Sequence, residues 1–226
     1  MSAVALTMRR CAMQSARTVF SPAMARRVNH PAAIGTGFKQ MSFLAAKADS
    51  AATPGWTPGP GVHLEEELEL QKARTWDEAD ADKFKATPVH DLFKGKKVVL
   101  FAVPGAFTGV CHKAHVPSFS KNLDAFKAKG VDSVICVSVN DPYCMNAWKS
   151  QLGDAAKGID FYSDHDTSFT RWMHADKDLK VAALGPSKRS NRYAMIVEDG
   201  TIKALFTEES PGDLKVSDGD NVLKSL

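Results

Sequence analysis

VPGAFTGVCHKAHVP, residues 103–117, is the stretch on which the reading of this chain turns. It leaves a near-continuous apolar run, KVVLFAV at residues 97–103, bounded by a Gly-Lys-Lys turn and by Pro104. A short run of that kind predicts a strand buried on both faces. On its far side Phe119, Leu123 and Phe126 recur at spacings of four and three, which predicts an amphipathic helix over residues 116–129 with Gly130 as its stop. The quoted stretch is therefore a strand-to-helix turn, and Cys111 sits in or just before the first turn of the helix. Free amide N–H groups and the helix dipole at that position favour a thiolate. Thr108 can aim its hydroxyl at the sulfur or at a substrate oxygen, or serve only as an N-cap. Gly105 and Gly109 allow close backbone approach, and Pro104 fixes the chain direction without offering an N–H.

Working outward, VDSVICVSV at residues 131–139 predicts a second buried strand. Residues 142–152 predict a helix with Asp141 as N-cap and Pro142 at its first position. A short strand at 161–163 and a helical turn at 167–174 capped by Asp166 follow. Residues 192–198 and 201–207 flank Asp199-Gly200, a strong hairpin signal, and residues 218–226 close the chain as a helix. Upstream, residues 63–70 alternate partly, as a strand would, and residues 76–85 suit a short helix or a loop. The order implies an α/β domain: a mixed central sheet, parallel crossovers followed by a hairpin, with helices on both faces.

Charge divides the chain. The 226 residues carry +3 overall, yet residues 1–48 hold seven Arg or Lys and no acid. Residues 49–226 are left with 22 basic and 26 acidic side chains, a balance of −4. An Arg-rich, acid-free, Ser- and Ala-containing N-terminus has the composition of an organelle transit peptide, mitochondrial by its Arg density, with a plastid as the alternative. AATPGWTPGPG at residues 51–61 is a Pro/Gly-rich linker, so residues 1–61 are assigned to targeting and linker and 62–226 to the folded domain. An acidic body speaks against nucleic acid as partner. No run of about 18 apolar residues exists to span a membrane. The four cysteines, at 11, 111, 136 and 144, form neither a CxxC pair nor a disulfide framework. Cys111 and His115, four apart with His112 between them, hint at a metal site, but no distant fourth ligand is evident and none is expected.

The motif Pro104-x-x-x-Thr108-x-x-Cys111 resembles the active-site signature of the peroxiredoxins. FKGKKVVLFAVPGAFT, SVNDPY, NRYAMIVEDG and IKALF are similar to their type II, peroxiredoxin-5-like class, from about Leu92 to Leu226. The resemblance implies a thioredoxin-like fold and a thiol peroxidase without metal, haem or flavin. It implies that Cys111 is the peroxidatic nucleophile, with Pro104, Thr108, backbone N–H groups near Val110 and Cys111, and Arg192 from a distant strand around it. Arg189 competes with Arg192 for that role. The family usually has Pro after the Thr; Gly109 stands there instead, so the loop loses a φ restraint.

By the same resemblance Cys136 is a candidate resolving thiol, although a disulfide requires Cα atoms within about 7 Å and a rigid strand restricts that. Cys144 at a helix start is a rival, and direct attack by an external thiol is the third route. Cys11 lies in the presumed transit segment. The implied partners are hydroperoxides, glutaredoxin with glutathione or thioredoxin as reductant, and a second copy of the chain, with Phe107 and Trp148 as candidate dimer contacts. A peroxide sensor that oxidises a partner protein and a catalytically silent thioredoxin-fold binding module are the alternative functions.

Overall fold

A computed structural model describes residues 57–78, 84–184 and 188–226. Cys11, residues 1–56 of the transit and linker assignment, and the centre of the 76–85 stretch lie outside the described residues. The elements are β1 (Glu69–Lys72), β2 (Thr87–Pro88), α1 (Val89–Phe93), β3 (Lys97–Ala102), a π-helical turn (Cys111–His115), α2 (Val116–Ser120), α3 (Leu123–Ala128), β4 (Ser133–Ser138), α4 (Pro142–Leu152), β5 (Ile159–Ser163), α5 (Ser168–Trp172), β6 (Asp176–Lys177), β7 (Arg189–Ser190), β8 (Tyr193–Glu198), β9 (Thr201–Thr207) and α6 (Gly219–Lys224).

Seven strands form one sheet in the order β2-β1-β5-β4-β3-β8-β9, and β6 and β7 pair separately. β3, β4 and β5 run parallel, while β8 joins β3 antiparallel and continues into β9. The expected mixed sheet is thus present. Its alternating side chains feed two cores. Val99, Phe101, Cys136, Phe161 and Ile196 pack with Cys111, Phe119, Phe126 and Trp148 on one face. Leu100, Val137, Tyr162 and Met195 pack with Phe93 of α1 and Phe169 of α5 on the other. Helices therefore cover both faces.

The hairpin follows its sequence signal. Asp199 and Gly200 both have positive φ, 46° and 74°, as a type I′ turn requires. Gly200 also lies against the His63 ring, where a Cβ would have no room. Asp141 caps α4 by accepting from the N–H groups of Tyr143 and Cys144, and Asp218 caps α6 through Asp220 and Asn221.

Three expectations need correction. The helix predicted over 116–129 is interrupted at Lys121–Asn122, because the Asn122 amide donates to the Ser118 carbonyl and to Asp220 and so diverts the chain. The strand predicted over 63–70 occupies Glu69–Lys72 instead, with His63 reduced to a single bridge to Thr201. Residues 65–67 are exposed, with 66–67 in a turn, so Glu66 interrupts the alternation that the buried Leu64, Leu68 and Leu70 would otherwise follow. The start of α5 is held mainly by Asp164, which accepts from the N–H groups of Phe169 and Thr170, with Asp166 accepting only from Ser168. Among the described residues no helix is long and apolar enough to cross a membrane.

Candidate active site

The chain leaves β3 through a bend at the buried Pro104 and enters a helical run over residues 109–120. The Thr108 carbonyl accepts the first intrahelical bond, from His112 N–H at 2.9 Å, so Thr108 is the N-cap and Gly109 occupies the first helical position. Cys111 is then the third helical residue, within the turn whose N–H groups have no carbonyl one turn back. The Thr108 hydroxyl donates to the Gly105 carbonyl at 2.8 Å rather than to the sulfur, and so braces the loop. Phe107, half-exposed with φ of +62°, occupies the left-handed region that non-glycine residues seldom visit, a local strain held by the surrounding loop.

From Cys111 the helix widens into a π turn, with Val116 N–H bonded to the Cys111 carbonyl. The wider turn keeps Cys111 and His115, four residues apart, both fully buried and facing one partner. That partner is Arg192, the residue preceding β8. The whole residue is only 1% exposed. Nη2 donates to the Cys111 Sγ at 3.5 Å and to the Pro211 carbonyl at 2.9 Å, and Nη1 donates to His115 Nδ1 at 3.0 Å. Nε is buried with no hydrogen-bond partner among the described residues. No carboxylate lies within ion-pair distance of Arg192 among the described residues.

The partners of His115 settle its protonation. Nδ1 meets a donor-only guanidinium and must present a lone pair. Nε2 meets the Ser217 carbonyl at 3.0 Å and must carry the proton. The ring is therefore neutral. Burial, then the Arg192 charge, push its pKa down to about 3. With both nitrogens engaged, His115 has no lone pair free to take a proton from Cys111 or to bind a metal. His112 turns elsewhere, its Nδ1 accepting from the Trp148 indole N–H at 3.0 Å.

The Redoxin family profile matches residues 69–223. Two plant proteins named Peroxiredoxin-2F, mitochondrial are similar to this chain. The Arabidopsis thaliana protein is 48% identical over 202 residues, covering 89% of this chain and 93% of its own. The Oryza sativa subsp. japonica protein is 52% identical over 159 residues, covering 70% and 79%. The chain belongs to the peroxiredoxins. As a peroxiredoxin it is a thiol peroxidase, an oxidoreductase. Reduced Prx3 from Vibrio vulnificus, solved in complex with H2O2, is a similar structure: TM-score 0.65, 38% identity, 75% of this chain and 100% of that one covered.

In this peroxiredoxin the residues singled out in the sequence separate clearly. Cys111, Thr108 and Pro104 belong to one turn, and Arg192 comes to it from 81 positions away. Arg189 does not: its Nε donates to the Leu184 carbonyl. Cys136 lies in the middle of β4, fully buried between Phe101 of β3 and Phe161 of β5. Burial and the neighbouring Cys111 push its thiol well above the ordinary range. Cys144 is half-buried on α4, where it receives the Asn140 amide at 3.6 Å, and burial and Asp141 raise its pKa. All three cysteines of the described residues are free thiols. Trp148 is fully buried in the core, so it is not an exposed dimer contact; Phe107, 51% exposed, remains available. No sequence signal marks Ser217 and Pro211, which act through backbone carbonyls, or Glu208, whose carboxylate accepts from Ser217 N–H in a loop without periodicity.

Proposed function

We propose that the enzyme reduces hydrogen peroxide and small organic hydroperoxides with Cys111 as nucleophile, and that glutaredoxin with glutathione, or thioredoxin, supplies the electrons. One observation carries the assignment: a buried guanidinium that has no carboxylate partner among the described residues donates to the Cys111 sulfur. A buried charge is costly unless paired, and a Cys111 thiolate supplies the missing anion. The sulfur attacks the outer peroxide oxygen. An S–O bond forms as the O–O bond breaks, and the second oxygen leaves with the bonding electrons and takes a proton as alcohol or water. Charge moves from sulfur to the leaving oxygen, so donors along that line stabilise the transition state. The unpartnered Nε of Arg192 and the first-turn N–H groups at Val110 and Cys111 are suited to it. Pro104 and Thr108 shape the turn.

The Cys111 sulfenic acid then condenses with a thiol, releasing water. We favour Cys136 for this step, since Cys111 acts on its thiol as a close neighbour and both lie in one buried cluster. β4 is clamped by strands on both sides, so the π turn carrying Cys111 is the part that must unwind. The complex of Vibrio vulnificus Prx3 with H2O2 supports peroxide as substrate. We place the protein in the mitochondrion rather than a plastid. The acid-free, Arg-rich N-terminus and the mitochondrial names of both plant relatives support that placement.

Stopped-flow measurement of peroxide loss tests the reading. Wild type consumes peroxide with either reductant system, and Cys111→Ser does not. Equal consumption by the two proteins refutes it. Peptide mapping after stoichiometric oxidation is expected to yield a Cys111–Cys136 link, and Cys136 recovered only as free thiol removes the Cys136 route.

A further inference from the structure

The segment from Glu208 to Asp218 has no helix or strand, yet it supplies both carbonyls that aim the active-site arginine. Pro211 O accepts from Arg192 Nη2, and Ser217 O accepts from His115 Nε2, whose other nitrogen accepts from Arg192 Nη1. A single atom closes that segment on itself. Glu208 Oε1, in a residue only 2% exposed, accepts from the N–H groups of Lys215, Val216 and Ser217 and from the Ser217 hydroxyl, all at 2.8–2.9 Å. Its Oε2 accepts no bond among the described residues. The base of the loop is anchored to Arg192 and its neighbour: Glu208 N–H donates to Arg192 O, and the Asn191 amide donates to Glu208 O.

We propose that Glu208 is a positioning residue for the peroxidase reaction, its carboxylate oxygen folding residues 208–217 into a strap whose carbonyls hold His115 and Arg192 onto Cys111. The inference rests on Arg192 and Cys111 acting as described above. The charged and titratable groups around the sulfur are Arg192, the neutral His115, Cys136 and, one layer out, Glu208 itself. Removing an anion from this surrounding favours a thiolate by charge alone. A loss of thiolate on removing Glu208 therefore reports geometry, because charge works in the opposite direction. Glutamine keeps Oε1 as acceptor and places its amide where Oε2 stands, so it preserves the strap without the charge.

The test compares full-length wild type, Glu208→Ala, Glu208→Gln and Ser217→Ala for peroxide consumption and for the pH midpoint of Cys111 alkylation. Circular dichroism confirms the fold of each. Glu208→Ala is expected to lower kcat/KM for peroxide by about tenfold or more and to move the alkylation midpoint upward. Ser217→Ala, which deletes one of the four bonds, moves both in the same direction by less, and decides the matter if Glu208→Ala does not fold. Glu208→Gln restores both. Wild-type rate and midpoint in a folded Glu208→Ala, or a Gln variant as impaired as the Ala variant, overturns the proposal. Cys111→Ser and Arg192→Lys are run alongside. If they retain activity the reading of the site fails; if they lose it while Glu208→Ala does not, only the strap fails.

Discussion

Replacing Asp164 with Asn is predicted to uncover an acid-lability that the wild-type protein conceals. Two buried groups titrate in opposite senses. His115 is held neutral in the fold, with its pKa lowered from 6.5 to about 3, by burial first and by Arg192 second. As pH falls below 6.5 the unfolded chain takes a proton that the folded chain refuses, so stability is lost progressively from 6.5 down to about 3. Asp164 behaves oppositely. Burial raises its carboxyl from 3.8 to about 6, so the folded chain takes the proton first; its contribution is complete below 3.8 and disappears as pH rises through 6. From pH 7 to 5 the His115 term costs about 2 kcal/mol and the Asp164 term returns about 1 kcal/mol, at about 1.36 kcal/mol per pH unit. Wild type should thus lose only about 1 kcal/mol over that range, whereas Asp164→Asn should lose about 2 kcal/mol. The asparagine also forfeits one of the two acceptors now serving Phe169 and Thr170 N–H, a loss common to both pH values that cancels in the comparison. Urea unfolding of both proteins at the two pH values measures the difference. A folded Asp164→Asn whose stability is as flat as wild type would show that His115 is not held neutral, and the assignment of its two ring nitrogens would fall.

Two further outcomes are expected from glycines that the structure treats differently. A Cβ on Gly219 would collide with the Ser118 carbonyl, while Gly219 N–H donates to the Ser118 hydroxyl. Gly219→Ala should therefore cost about 1–3 kcal/mol and lower the Tm by roughly 5 °C, read by calorimetry, and an unchanged Tm would contradict the close approach of α6 to α2. Gly109 is the reverse case: exposed, at the first helical position, with nothing within 4 Å of an added Cβ. Gly109→Pro should raise stability by about 0.4–1 kcal/mol with peroxide turnover retained, since the ring fits the first helical position and restricts only the unfolded chain; a lower Tm would place Gly109 elsewhere in the turn.

Much of the site was legible because it is local. Pro104, Thr108 and Cys111 occupy one strand-to-helix turn, and the apolar run at 97–103 with the 119, 123, 126 spacing defines that turn without any distant contact. The Asp141 cap and the Asp199-Gly200 hairpin were readable for the same reason, since backbone geometry there is dictated by two or three neighbouring residues. The break at Asn122 was less legible: its side chain serves Asp220, far along the chain, and periodicity continues through it.

By itself the sequence determined which cysteine sits where a helix start presents unpaired N–H groups, and that the acid-free N-terminus differs in kind from the acidic domain behind it. It named Arg192 only through likeness to a family. Tertiary structure alone decided what lies against the sulfur. The antiparallel addition of β8 to β3 carries Arg192 to Cys111, the π turn aims His115 at the same guanidinium, and the Glu208 strap supplies carbonyls to both. Those partners are backbone oxygens and a neutral ring, which no residue pattern encodes. Their positions follow from sheet register and loop closure, which depend on contacts between residues far apart in the chain.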